Sequence, residues 1–200
     1  MFDPGKLQIG DIVFIRISNF LYRRVAEATG SWISHVGLID RQEEGEWLVA
    51  ESTFPFSRYT PLTMFLRRSE KGKCAFMRLK TPPNSSTHSK LQAEARQRLR
   101  KMYHLGFDFD SRLQFCPKFV FEVYRDALGV DIGAVETFRD LLNKQPDSPK
   151  AFWKIWFLGQ IPWDRRTVTP ESQYRSELLE VVCENRTSSK KHDSVRKLST

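Results

Sequence analysis

The chain has 200 residues, of which 40% are apolar and 28% charged, with a formal net charge of +8. That apolar content suffices for one domain with a real core, and no run of about 18 apolar residues marks a membrane span. Cys74, Cys116 and Cys183 are far apart, and His35, His88, His104 and His192 are scattered, so neither a disulfide framework nor a zinc site is expected, nor any cofactor.

The opening residues Met1 to Lys6 lack a charged-then-apolar leader pattern, so a cytoplasmic location is expected. Gly10 to Ile17 reads as a first strand. Ser18 or Asn19 can cap a helix over Phe20–Ala28, which Gly30 ends. Ser34–Asp40 reads as a second strand and Glu46–Glu51 as a third, joined by the polar loop Arg41–Gly45. A short strand near Arg58–Tyr59, a helix over Pro61–Leu66 and a strand over Cys74–Leu79 follow. The Thr81–Ser86 stretch, rich in Pro and Ser, is the clearest loop. Beyond it the pattern is helical: Thr87–Tyr103, Cys116–Leu128, Val135–Leu142, Ser148–Leu158 and a last helix over Glu171–Val182. Strands first and helices later predict an α+β fold, a small antiparallel sheet or barrel packed against a helical layer. Residues 1–184 form one domain on this reading. Residues 185–200 form a disordered basic tail, because Arg186, Lys190, Lys191, Arg196 and Lys197 oppose only Asp193 and few apolar residues can dock. The other basic cluster, Lys90, Arg96, Arg98, Arg100 and Lys101, reads as a solvated helix face, and no nucleic-acid motif accompanies it.

Cys116 carries the chemistry most open to inference. It stands where a loop turns into the helix of Phe119, Val120, Val123, Tyr124 and Leu128, with Pro117 in the first turn and Gly129 as the stop. A thiol at a helix N-terminus faces free N–H groups, which favours thiolate. The ordinary reading of a lone cysteine is a buried packing residue. A nucleophilic role needs a base and a group to orient it, and His35 and Glu51, on neighbouring strands, can meet across a short antiparallel connection. Taken singly, a residue such as His35 is more often a satisfied core or loop histidine, and one such as Glu51 a solvated strand-end charge. Trp32, Tyr103, Phe107 and Phe115 are candidates to line a substrate pocket. Asp108 and Asp110 read as loop-capping groups, and Phe152, Trp153, Trp156 and Phe157 as core.

Five ordered segments then stand out: Gly10-Asp11-Ile12-Val13-Phe14, Ser34-His35-Val36-Gly37-Leu38-Ile39, Val49-Ala50-Glu51, Gly106-Phe107-Asp108-Phe109-Asp110 and Phe115-Cys116-Pro117-Lys118-Phe119-Val120. Together they resemble the permuted papain-like amidases of the YiiX/YebB group, relatives of the NlpC cysteine peptidases. The likeness extends to about Val182. In that family the chain order is His, acid, Cys, the reverse of papain. The resemblance implies a papain-like fold and a cysteine hydrolase that cuts an amide or ester bond through an acyl-thioester. It further implies Cys116 as nucleophile, His35 as base and Glu51 as its orienting partner. The substrate would be a small-molecule, peptide or lipid-derived amide or ester. An acyltransferase or a spent binding module are the alternatives. Pro117 and Lys118 depart from the family pattern. Pro117 removes a backbone donor beside the thiol, and Lys118 is expected to favour thiolate by its charge.

Overall fold

Strand β1 (Ile12–Ile17) is apolar on both sides because both of its faces are covered. In this computed structural model, which describes residues 3–81 and 84–186, β1 lies inside a six-stranded antiparallel sheet. The other strands are β2 (His35–Glu43), β3 (Glu46–Glu51), β4 (Arg58–Pro61), β5 (Ser69–Leu79) and β8 (Leu179–Asn185), in the order β4-β3-β2-β1-β5-β8. Between β1 and β2 runs α1 (Phe20–Ala28), whose Asn19 cap accepts the Tyr22 N–H at 3.1 Å.

Side-chain alternation sorts the two faces. Ile12, Phe14, Val36, Leu38, Ala50 and Ala75 face α3 (Ser85–Gln97) and α4 (Cys116–Leu128), which presents Phe119, Val120, Val123 and Tyr124. Val13, Ile15, Ile39, Val49 and Phe76 face the other way, against Leu62 and Phe65 of α2 (Leu62–Arg67). A third cluster, rich in aromatics, joins Tyr103, Phe107, Phe115 and Phe121 to Phe138 and Trp153. It is built with α5 (Phe138–Lys144), α6 (Lys150–Trp156) and the two-stranded ribbon of β6 (Val135–Thr137) and β7 (Arg166–Val168).

The expected α+β class, the antiparallel sheet and the helix from Cys116 to Leu128 are all present. Three expectations are corrected. The helix expected over Glu171–Val182 is only α7 (Pro170–Tyr174), and the chain then turns into β8, which pairs along β5 with Phe76 opposite Cys183. Its alternation of Leu179, Val181 and Cys183 is a strand period that a short apolar run does not separate from a helix. The helix expected over Thr87–Tyr103 stops at Gln97. Val135–Leu142 splits into β6 and α5 at the Thr137 capping box. Asn185 and Arg186 belong to the folded part, Asn185 donating to the Gly72 carbonyl at 3.1 Å. The disorder expected of the remaining tail lies outside the described residues.

Of the basic cluster around the end of α3, Lys90, Arg96, Arg100 and Lys101 are exposed, whereas the C-cap Arg98 is tied down. Arg98 is buried and pairs with Glu94 at 2.6 Å and Glu122 at 3.6 Å, and with Asp126. Asp11 of the opening motif is structural. It is fully buried, takes the Arg78 guanidinium at 2.6 Å and accepts the Gln8 N–H at 2.8 Å.

Candidate active site

Helix α4 begins at Cys116, after a stretch with few regular elements from residue 98 to 115. Phe115 occupies the N-cap and supplies no side-chain cap, so first-turn N–H groups stay free. The helix start is held in place from outside. Gln173 of α7 donates to the Pro117 carbonyl at 2.8 Å, and Tyr103 is paired to Gln114 by an isolated bridge. The Cys116 thiol is buried, and the Tyr103 hydroxyl lies 3.9 Å from Sγ. The Val36 N–H also points at Sγ.

Val36 follows His35 at the start of β2, so the backbone group that contacts the thiol is one residue from the imidazole's own. His35 Nε2 meets Glu51 Oε2 at 2.6 Å, both side chains fully buried. The register makes the meeting possible: Leu38 faces Ala50, and the β2–β3 turn lies far from both acid and ring. Glu51 is held from three sides. Thr60 donates to Oε1 at 2.6 Å, Arg68 to Oε2 at 2.7 Å, and Arg58 stands 3.9 Å from Oε1. The ring of Phe65 stacks on the imidazole at 5.4 Å between centroids, and Tyr22 meets it edge-on at 5.4 Å. Gly37 makes room for that stack. A Cβ there would come 2.5 Å from Val49 and 3.1 Å from Phe65.

These surroundings set the proton affinities. Burial would raise the Glu51 carboxyl, but the His35 hydrogen bond and charge, then Arg68, outweigh it and hold the group at about 2. Burial pulls His35 below its ordinary value, with the Glu51 carboxylate opposing. Burial pushes the Cys116 thiol up to about 12 against the Tyr103 and Val36 hydrogen bonds. The resting thiol is thus protonated, not the thiolate that a helix N-terminus alone suggests. Desolvation of the thiol outweighs the helix dipole. Lys118 does not change this. Its ammonium binds the Ser111 carbonyl, the Leu113 carbonyl at 3.0 Å and Glu122 at 3.6 Å, tying the preceding loop to the helix instead of serving the thiol.

Cys116 lies in the wall of a narrow apolar pocket with a cavity volume of about 40 Å³, bounded by α1, the aromatic cluster and β7. Tyr103, Phe107 and Phe115 line it as expected. Trp32 does not. It packs edge-on against Tyr174, with Arg186 over its ring, because the chain between α1 and β2 turns it to the sheet edge. Arg68, Thr60 and Tyr22 escaped the sequence reading. Thr60 had a signal, since a strand paired with Glu51's strand offers neighbours to it. Arg68, in a basic Arg67-Arg68 pair, had none.

Known proteins share this arrangement of chain and fold. The profile of the family described as permuted papain-like amidase enzyme, YaeF/YiiX, C92 family, matches residues 6–183. The chain belongs to the permuted papain-like amidases. As a member of that family it is a cysteine-dependent hydrolase. It is 27% identical to the protein YiiX of Escherichia coli strain K12 over 175 residues, 88% of this chain and 85% of that protein. The crystal structure of YiiX from Escherichia coli O157:H7 superposes with a TM-score of 0.83 at 26% identity, covering 90% of this chain and 98% of that one. The matches speak for the YiiX side of the group and do not single out YebB. The O157:H7 YiiX is described as a metalloprotein. The residues of this amidase do not fit such a centre: among the described residues no group of three or more His, Cys, Asp or Glu could hold a metal ion. Nor is any described helix long and apolar enough to cross a membrane.

Proposed function

We propose that this amidase works through Cys116 as nucleophile, His35 as general base and acid, and Glu51 as the group that holds the imidazole. The observation that carries the reading is the division of labour on the ring. Nε2 is committed to Glu51 at 2.6 Å, while Nδ1 is buried without any hydrogen-bond partner among the described residues. An orphaned buried nitrogen is costly and calls for a function. Nδ1 is the atom that takes the thiol proton as Sγ attacks the acyl carbonyl.

The carbon–sulfur bond forms and the carbonyl π pair moves onto oxygen. The Cys116 N–H and the Tyr103 hydroxyl are the donors near enough to meet that charge. When the tetrahedral species collapses, the bond to nitrogen or oxygen breaks. The leaving group takes the electron pair and the proton from Nδ1. Water then attacks the thioester, gives its proton to Nδ1, and the carbon–sulfur bond breaks to release the acid and restore the thiol. Glu51 stabilises the imidazolium in both halves and stays a carboxylate throughout.

Cys116→Ala and His35→Ala, assayed on amide and ester panels, test this reading. Both should lose about a thousandfold or more in turnover. Intact mass should show an acyl adduct on the unaltered chain that the Cys116→Ala variant lacks. Turnover by Cys116→Ala at the unaltered rate would refute the reading.

A further inference from the structure

We infer that the face formed by the outer side of α6, the start of α1 and the Met102–Leu105 stretch docks on an anionic lipid surface. Helix α6 carries apolar groups on both sides. Trp153 turns inward and stacks on Phe157 at 6.0 Å between centroids, whereas Ala151 and Ile155, one turn apart, face out. Ile155 is 77% exposed, and Phe20, the first residue of α1, is 61% exposed. Leu158, just past α6, is 98% exposed and holds φ +56°, a left-handed conformation that leucine rarely adopts. Neither burial nor backbone preference accounts for a leucine there. These groups are linked. Phe20 meets Phe152 edge-on at 5.4 Å, Phe152 lies 5.7 Å from Trp156, and Trp156 Nε1 donates to the Leu105 carbonyl at 2.9 Å. Further along, the exposed Met102 pairs with the exposed Phe56. Six of the ten large apolar side chains that are exposed among the described residues thus belong to this run. Single exposed apolar residues are ordinary, but a connected run marks an interaction surface.

Charge selects the partner. Lys150 and Lys154 of α6 are exposed, as are Arg100 and Lys101 directly before Met102, and none of the four has an acid partner among the described residues. Arg24 lies over the rings of Phe20 and Phe152 at 5.0 and 5.7 Å, and Glu27, its acid partner, is 2.6 Å away. One exposed acid, Asp147, precedes α6. A second copy docked face to face would set these cations against themselves. Lipid phosphate neutralises them, while the headgroup–acyl boundary takes the apolar side chains.

Co-sedimentation of the full chain with vesicles tests the inference, using phosphatidylcholine alone and an equimolar mixture with phosphatidylglycerol. The protein should partition to the anionic vesicles about tenfold or more better than to the neutral ones. That binding should weaken as salt is added. Lys150→Gln with Lys154→Gln should lower it about tenfold or more, at roughly fivefold per lost cation. Ile155→Gln with Leu158→Asn should also lower it about tenfold or more. Asn accepts the left-handed conformation at 158, and all four positions are exposed, so unfolding midpoints should stay unchanged. Failure to partition, or equal partition to both vesicle types, would overturn the inference. So would unchanged binding by the Ile155→Gln, Leu158→Asn variant, which would move the contact to another basic segment. Sedimentation velocity without vesicles separates the remaining occupant: a dimer that this variant abolishes would assign the face to a second copy and overturn lipid docking. None of these measurements involves Cys116, so the hydrolase reading stands or falls separately.

Discussion

Replacing Glu51 with Gln isolates charge from shape. The amide oxygen can take the place of Oε2 and keep both His35 and Arg68, and the amide nitrogen can donate to the Thr60 hydroxyl, now an acceptor. Only the negative charge is lost. A carboxyl lowered from 4.5 to about 2 carries roughly 3 kcal/mol of stability at neutral pH. Water reaches part of that, because the Arg68 side chain is 27% exposed. The variant should therefore lose about 1–3 kcal/mol at pH 7. The sign follows from the depressed value. The contribution is complete above the ordinary 4.5 and disappears as pH falls toward 2, so the two proteins should converge in stability in acid. Turnover should fall by about ten- to a thousandfold, because the imidazolium formed during the reaction loses its counter-charge. Urea unfolding at pH 7 and pH 3, with kcat/KM on the best ester found, measures both. Unaltered turnover with stability within about 0.5 kcal/mol of the parent would refute this account of Glu51 and leave Cys116 and His35 as a dyad.

Tyr103→Phe keeps the ring in the pocket and removes the hydroxyl 3.9 Å from Sγ, so kcat should fall about ten- to a hundredfold with KM little changed, checked by steady-state kinetics. Small, untailed alkylating reagents should modify the half-buried Cys183 before Cys116, the reverse of what a helix-start thiol suggests, because Cys116 is buried and its thiol is held up to about 12; peptide mapping of partly alkylated protein decides. Phe119→Ala, removing a fully buried ring between α4 and the sheet, should cost about 3–5 kcal/mol, read from denaturant midpoints. His35, lowered by burial, adds stability that is complete above its ordinary 6.5 and is lost as pH falls, so the melting temperature should decline on acidification below that point; a His35→Gln variant should lack the decline.

The parts of the molecule legible in the sequence were those governed by local rules. The α1 and α4 limits follow from Asn19, Pro117 and Gly129, and the β2–β3 hairpin follows from alternation around a polar loop. The likeness of ordered segments named the family. Long-range choices were not legible. Leu179–Asn185 becomes a strand because β5 offers an open edge, a fact stored more than a hundred positions earlier. Trp32 leaves the site because of where Tyr174 and Arg186 come to rest. The thiol's high proton affinity reflects its burial in the pocket wall, which no spacing rule encodes.

The pairing of β8 with β5 also has a consequence for how the protein is made. A ribosome delivers β1 through β5 first, then the helix that carries the thiol, and the strand that closes the sheet last. Until Leu179–Asn185 emerges, the hydrogen-bonding edge of β5 from Cys74 to Leu79 has no partner, and before α4 arrives only α3 can cover part of the sheet's apolar face. Such an intermediate is open to wrong pairing with another nascent chain. Vectorial synthesis thus leaves His35 and Glu51 in place early and the enzyme inert until late. Its yield in a cell should respond to translation speed over the final third of the message more than over the first.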